Sequence, residues 1–223
     1  MSRPTAFSPP PPRREQGEGG DTVVLVHGLW LNGLESIVLR RRLQALGYDV
    51  RQFRYRTVSA SLEDNARALH EFIVGLDAAV VHLVGHSLGG LVILRMMERF
   101  ADLPAGRAVL LGSPVAGSRA AEALARRGWG RRVLGRCVAD GILAHPAWRA
   151  GDRDTGIIAG RLGIGLGRLW ARLDEPHDGT VAVAETRLAG ATAHRVLAVS
   201  HFGLLFSREA AAETARFLKL GCF

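Results

Sequence analysis

Lysine is almost missing from this chain of 223 residues. Lys219 is the only one, so 28 of the 29 basic residues are arginine, and the formal net charge is +8. Cysteine is nearly as scarce: Cys137 and Cys222 are the only two. That excludes a disulfide framework and a structural zinc site built on cysteine. A single bridge between them stays open in principle, but Cys222 stands next to the end of the chain, and reduced thiols in a reducing compartment are the expectation. No window of eighteen apolar residues occurs, so no membrane-spanning helix is expected. The opening Met1-Ser2-Arg3-Pro4-Thr5-Ala6-Phe7-Ser8 runs into four prolines and has no apolar core of the secretory-leader kind. A cytoplasmic protein is expected.

What is present is ordinary for a soluble globular chain, with 48% hydrophobic and 22% charged residues. A coiled coil, a collagen and a chain disordered throughout are thereby ruled out. The length allows one sizeable domain, and a domain of this size buries about 70% of its unfolded surface, enough to be stable without a metal or disulfide. The arginine excess admits a nucleic-acid or anionic-membrane partner. The arginines are scattered over many segments, however, and no DNA or RNA recognition motif accompanies them. No nucleic-acid partner is expected, and most of the arginines read as solvated surface cations.

Residues 1–20 are rich in Pro, Arg, Glu and Gly and read as a disordered tail. From 21 to 223 strand and helix patterns alternate. Thr22–Val26 is a short β-branched run that fits a strand buried on both faces. Leu34–Leu46 reads as a helix stopped by Gly47, and Tyr48–Tyr55 as a second strand. Ser59 or Ser61 can cap the next helix, where Leu62, Ala66, Leu69, Ile73 and Leu76 share one face. Ala79–Val84 is the clearest strand, and Leu88–Phe100 a helix apolar on nearly every side. Ala108–Leu111, Thr155–Ala159 and Arg195–Val199 read as strands and Arg208–Leu220 as a closing helix. The fold class is therefore α/β: a mostly parallel central sheet with helices on both faces, three layers in all. From 117 to 175 the alternation weakens, which marks a short cap or lid-like insertion. Ligands in such sheets bind at the carboxyl ends of the strands, so chemistry belongs in the residues just after each strand.

After the clearest strand comes Gly85-His86-Ser87-Leu88-Gly89-Gly90. A serine with glycines two positions to either side fits a tight strand-to-helix turn that projects Oγ from the sheet edge. Gly85 and Gly89 let the strand and helix approach, and the Leu88 amide points at the site from a helix N-terminus. A serine hydroxyl is a poor nucleophile without a base, and the base needs an orienting acid. His201 follows the last strand at the correct edge. His194 lies at the opposite end of that strand, His86 diverges from its neighbour Ser87, and His145 and His177 are weaker loop candidates. For the acid, Asp178 in His177-Asp178-Gly179-Thr180-Val181 precedes the last strand, and Gly179 permits a turn back over the sheet. Glu175 is its rival; Asp152 and Asp154 precede their strand and belong to the wrong end. His27-Gly28-Leu29-Trp30 follows the first strand. The Leu29 amide can join that of Leu88 as a pair of oxyanion donors. His27 should hold the loop by hydrogen bonds, and Trp30 either lines an acyl pocket or is a packed loop aromatic.

The segments Val23-Val24-Leu25-Val26-His27-Gly28-Leu29, Gly85-His86-Ser87-Leu88-Gly89-Gly90, Asp178-Gly179-Thr180-Val181 and Ser200-His201-Phe202-Gly203-Leu204-Leu205, in this order, resemble the motifs of the α/β-hydrolase superfamily. The resemblance spans about residues 21–220 and is nearest to small lipase- and esterase-like members. It implies an ester- or lipid-directed acyl hydrolase without metal or cofactor, with Ser87, Asp178 and His201 as the triad and Leu29 and Leu88 as oxyanion donors. An acyltransferase on the same triad and a non-catalytic binding module with this fold remain alternatives. Arg126, Arg127, Arg131, Arg132, Arg136, Arg161 and Arg168 alternate with apolar residues, Trp148 and Trp170. Such a segment either rests on anionic lipid or forms a solvated cap over the sheet. Oligomeric state is not legible.

Overall fold

The computed structural model describes residues 20–144, 146–165, 171–174 and 176–223. The tail expected at 1–20 falls almost wholly outside this set, as do His145, Arg168, Trp170 and Glu175. Six strands form one sheet: β1 (Thr22–Val26), β2 (Asp49–Phe53), β3 (Val81–His86), β4 (Ala108–Leu111), β5 (Thr155–Gly160) and β6 (Ala193–Leu197). Their spatial order is β2-β1-β3-β4-β5-β6, and every pairing is parallel. The expected parallel sheet is therefore parallel throughout.

Alternation along each buried strand sends successive side chains to opposite layers. Val24, Val26, Leu83, Leu110 and Ile157 pack with α2 (Leu62–Val74) and α3 (Leu88–Arg99), in one cluster with Leu69, Leu91 and Phe72. Val23, Leu25, Val84, Val109 and Ile158 pack on the other face. There they meet Leu39 and Leu43 of α1 (Ile37–Ala45) and Phe217 and Leu218 of the long C-terminal helix Arg208–Leu220. Ser61, not Ser59, caps α2: its hydroxyl accepts from the Asp64 amide, and the Asp64 carboxylate returns to the Ser61 amide.

Between β4 and β5 the chain forms α4 (Arg119–Ala125), α5 (Gly130–Val138) and one π-helical turn at Ala139–Leu143. These elements occupy only the first part of the insertion expected at 117–175, and β5 then returns the chain to the sheet. Gly135 interrupts α5 at φ 77°. A β-carbon there would lie 2.4 Å from the Val58 carbonyl oxygen, so the loop after β2 can dock against the kink, where the Arg136 amide donates to Val58 O at 2.9 Å. Two helices close the chain, the short α6 (Gly203–Phe206) and the longer α7 (Arg208–Leu220).

The ends of β2, β3, β5 and β6 differ from the sequence reading by one or two residues. β3 runs two residues further, because Gly85 and His86 still pair with Leu110 and Leu111. β6 starts at Ala193 and ends at Leu197, two residues earlier than expected. As an edge strand it is half exposed, and its apolar residues do not mark its ends.

The chain order fixes where a ligand can sit. β2 lies on one side of β1 and β3 on the other, so connections leaving β1 and β3 part company between these two strands. A crevice opens at such a reversal beyond the strand ends. The loop after β1 carries Leu29, and the turn after β3 carries Ser87.

Candidate active site

Ser87 joins β3 directly to α3, with φ 53° and ψ −121°, a backbone conformation that non-glycine residues rarely adopt. Its own amide is spent on Leu111 O at 2.9 Å, which pins the turn to β4. The flanking glycines are sterically required. A β-carbon at Gly89 would stand 2.2 Å from Val26 O, and one at Gly85 would stand 2.6 Å from the Gly90 nitrogen. The helix thus starts close above the sheet, with the Leu88 amide at its positive end. Among the described residues, neither this amide nor that of Leu29 finds an acceptor.

The loop after β1 is held on both sides. His27 Nδ1–H donates to Gly28 O at 3.0 Å, and its Nε2 accepts the Tyr55 amide at 3.3 Å. Tyr55 Oη donates to His27 O at 2.8 Å, and the two rings stack at 4.4 Å. Burial lowers the His27 pKa, which keeps this neutral tautomer in place. So anchored, the loop passes over the elbow: a β-carbon on Gly28 would touch Ser87 Cβ at 3.2 Å.

Asp178 and His201 meet above the far half of the sheet. His201 Nδ1 lies 2.7 Å from Asp178 Oδ2, and the His201 amide donates to Asp178 O at 2.9 Å. The other carboxylate oxygen accepts the amides of Thr180, at 2.9 Å, and Val181, at 2.7 Å. Burial alone would raise the pKa of this carboxyl, but the neighbouring imidazole and the two amides outweigh it and hold Asp178 below the usual carboxylate range. Asp178 is therefore an anion whose second oxygen fixes the proton of His201 on Nδ1 and leaves Nε2 as the acceptor. No hydrogen bond closes between Ser87 and His201; the two side chains line the same cavity.

That cavity has a volume of about 140 Å³. Leu29, Trp30 and Leu88 border it, and Leu124, Leu134, Val138 and Ile142 of the cap roof it with apolar side chains. Trp30 is half exposed and ties the loop to the roof, its Nε1–H donating to Val133 O at 2.9 Å. The remaining sequence candidates lie elsewhere. His194 meets Thr186 Oγ at 2.9 Å, and His177 is buried under the Asp178 turn, accepting the Gly179 amide at 3.0 Å. Asp154 pairs with Arg107 at the opposite end of the sheet, at 3.2 Å. Among the described residues no three histidine, cysteine or acidic side chains come together as metal ligands.

Two residues of the site escape sequence reasoning. His86 diverges from Ser87 as expected, yet it stays in the site: its Nε2–H donates to His201 O at 3.1 Å, and the two imidazoles lie 4.7 Å apart. Burial, aided by the neighbouring His201, drives its pKa down to about 3. Glu185 bridges the cap to the Asp178 turn, accepting the Arg119 amide at 2.7 Å and the Ala182 amide at 2.8 Å. The place of His86 beside the serine was a usable signal; nothing in the local sequence distinguishes Glu185.

A sequence profile described as the Alpha/beta hydrolase family matches residues 23–217. The chain belongs to this family. Solved structures agree on the fold. The mature lipase BlEst2 of Bacillus licheniformis superposes with a TM-score of 0.70 at 19% identity, covering 100% of both chains. A metagenomic carboxyl esterase, MGS0156, gives 0.67 at 19% identity over 95% of this chain and 78% of that one. The phospholipase PlaB of Legionella pneumophila gives 0.68 at 14% identity, over 91% of this chain and 61% of the other. No curated protein matches the sequence significantly. Among the described residues of this α/β hydrolase, no helix is long and apolar enough to cross a membrane.

Proposed function

We propose that this family member is a serine hydrolase that cleaves carboxylic esters, including lipid acyl esters, through an acyl-enzyme. The observation that carries the reading is the 2.7 Å contact of Asp178 with Nδ1 of an imidazole that shares its cavity with a serine on a strained strand-to-helix turn. Ser87 Oγ attacks the ester carbonyl while Nε2 of His201 takes its proton. Asp178 stabilises the imidazolium that forms. The amides of Leu29 and Leu88, both without an acceptor in the described structure, receive the developing oxyanion. His201 then returns its proton to the leaving alcohol and activates water for deacylation. The Ser87–His201 hydrogen bond closes when substrate binds, as such contacts commonly tighten only in the Michaelis complex.

The apolar roof supports an alkyl or aryl group on the substrate, and Trp30 at its edge is placed to touch that group. Replacing Ser87 with alanine tests the assignment. The variant should fold, lose turnover of a short p-nitrophenyl ester and fail to react with a fluorophosphonate probe. Full labelling of the variant would put the nucleophile elsewhere. Product analysis with a competing alcohol separates hydrolysis from acyl transfer.

A further inference from the structure

The roof of the cavity has an outer face that the chemistry above does not use. Arg126, Arg131, Arg132 and Arg136 are all exposed there, and the stretch 123–139 contains no acidic residue. Arg126, Arg131 and Arg132 make no ion pair among the described residues. Between them two apolar side chains are left in solvent, Trp129 at 51% and Val133 at 38% exposure. The opposite side of the same helix turns Leu134 and Val138 into the cavity.

The geometry points to an anionic lipid surface as the partner of this face. Arginine alone would suit any polyanion. Trp129 and Val133 gain burial only if the partner offers an apolar layer just beneath its negative groups, and a phospholipid headgroup region has that order. A nucleic acid does not present such a layer on its phosphate surface. The position adds a second argument. Val133 O holds Trp30, and Trp30 and Phe202 border the cavity while remaining 52% and 43% exposed. Docking the basic face would therefore set the rim of the cavity against the interface from which a lipid ester can enter. This surface is independent of Ser87 and His201, so it stands or falls apart from the ester-hydrolase reading.

Sedimentation of the full chain with vesicles tests it. Binding is expected with phosphatidylcholine–phosphatidylglycerol vesicles at low salt, and little with phosphatidylcholine alone. The double variant Arg131→Glu, Arg132→Glu should bind the anionic vesicles about tenfold or more weakly. Trp129→Ser should weaken binding as well. Ser87→Ala should bind as the unsubstituted chain does, and the charge-reversed variant should turn over a soluble ester unchanged. Equal binding to neutral and anionic vesicles, or no loss in the double variant, would overturn the proposal. Binding to a DNA duplex as tight as to vesicles, and insensitive to Trp129→Ser, would assign the face to a nucleic acid and overturn it too.

Discussion

Asp178 shows how much a single carboxylate can decide. Oδ1 is occupied by the Thr180 and Val181 amides, so the side chain cannot turn, and Oδ2 is left for Nδ1 of His201. Asparagine at this position would keep its carbonyl on the two amides and present an NH2 group to the imidazole. That forces the Nδ1 acceptor tautomer, puts the proton on Nε2 and, under the proposed mechanism, removes the base for Ser87. Asp178→Asn should therefore retain the fold by circular dichroism and lower ester turnover by about 10⁴-fold. A turnover near that of the unsubstituted chain would move the orienting acid to another carboxylate. The places of Ser87, Asp178 and His201 could be read from the sequence, because each follows or precedes a recognisable strand. The contact of His86 with His201 was not legible, because it joins residues 115 positions apart through a backbone carbonyl.

At the scale of elements, the cap is the part whose shape depends on a few backbone devices. α5 carries two apolar cavity residues on one side and a basic face on the other, and Gly135 sets the angle at which both are presented. With φ at 77° and Val58 O 2.4 Å from the position of a β-carbon, alanine would face both a left-handed backbone and a steric clash. Gly135→Ala should cost about 1–3 kcal/mol, read by urea denaturation, and should increase proteolytic nicking within 126–143 while the sheet stays intact. An unchanged midpoint and unchanged digestion would mean that the kink is not held by this glycine. The buried strands could be read from their continuous apolar runs, and the amphipathic helices α2 and α7 from periodicity, because one helix face is buried with the period of the backbone. The cap could not: its short helices are broken by Gly128, Gly130 and Gly135, and no window is long enough for a period to show.

For the whole molecule, buried titratable groups set the pH range of stability. His86 has its pKa pushed from the ordinary 6.5 to about 3 by burial, and His27, His82 and His194 are lowered in the same direction. Above pH 6.5 these imidazoles are neutral in both states and their contribution is fully present. As the pH falls below 6.5 the unfolded chain takes up protons that the folded chain refuses, so stability is lost, at about 1.4 kcal/mol per pH unit for His86 alone. Burial pushes the Cys137 thiol from 9.0 up to about 12, and Tyr55 is also raised. Above pH 9 the unfolded thiol ionises while the folded one does not, so stability falls on that side as well. Urea midpoints should therefore be level from about pH 7 to 9 and decline toward both acid and alkali. Cys137→Ala should soften the alkaline decline and leave the acid one unchanged. A midpoint that rises from pH 6 to pH 4 would contradict the burial of these histidines.

The sequence by itself determined the alternation of buried strands and helices and the strained serine turn, since each depends on neighbours a few residues apart, and it carries Ser87, Asp178 and His201 in that order along the chain. Only the tertiary structure decided that Asp178 and His201 share a hydrogen bond, that His86 donates to the His201 carbonyl while Glu185 holds the Ala182 amide next to the Asp178 turn, and that the cap roofs the cavity with apolar side chains while its arginines stay exposed. Those outcomes depend on which distant segments pack together, and a linear pattern carries the period of each segment but not the partner against which it is buried.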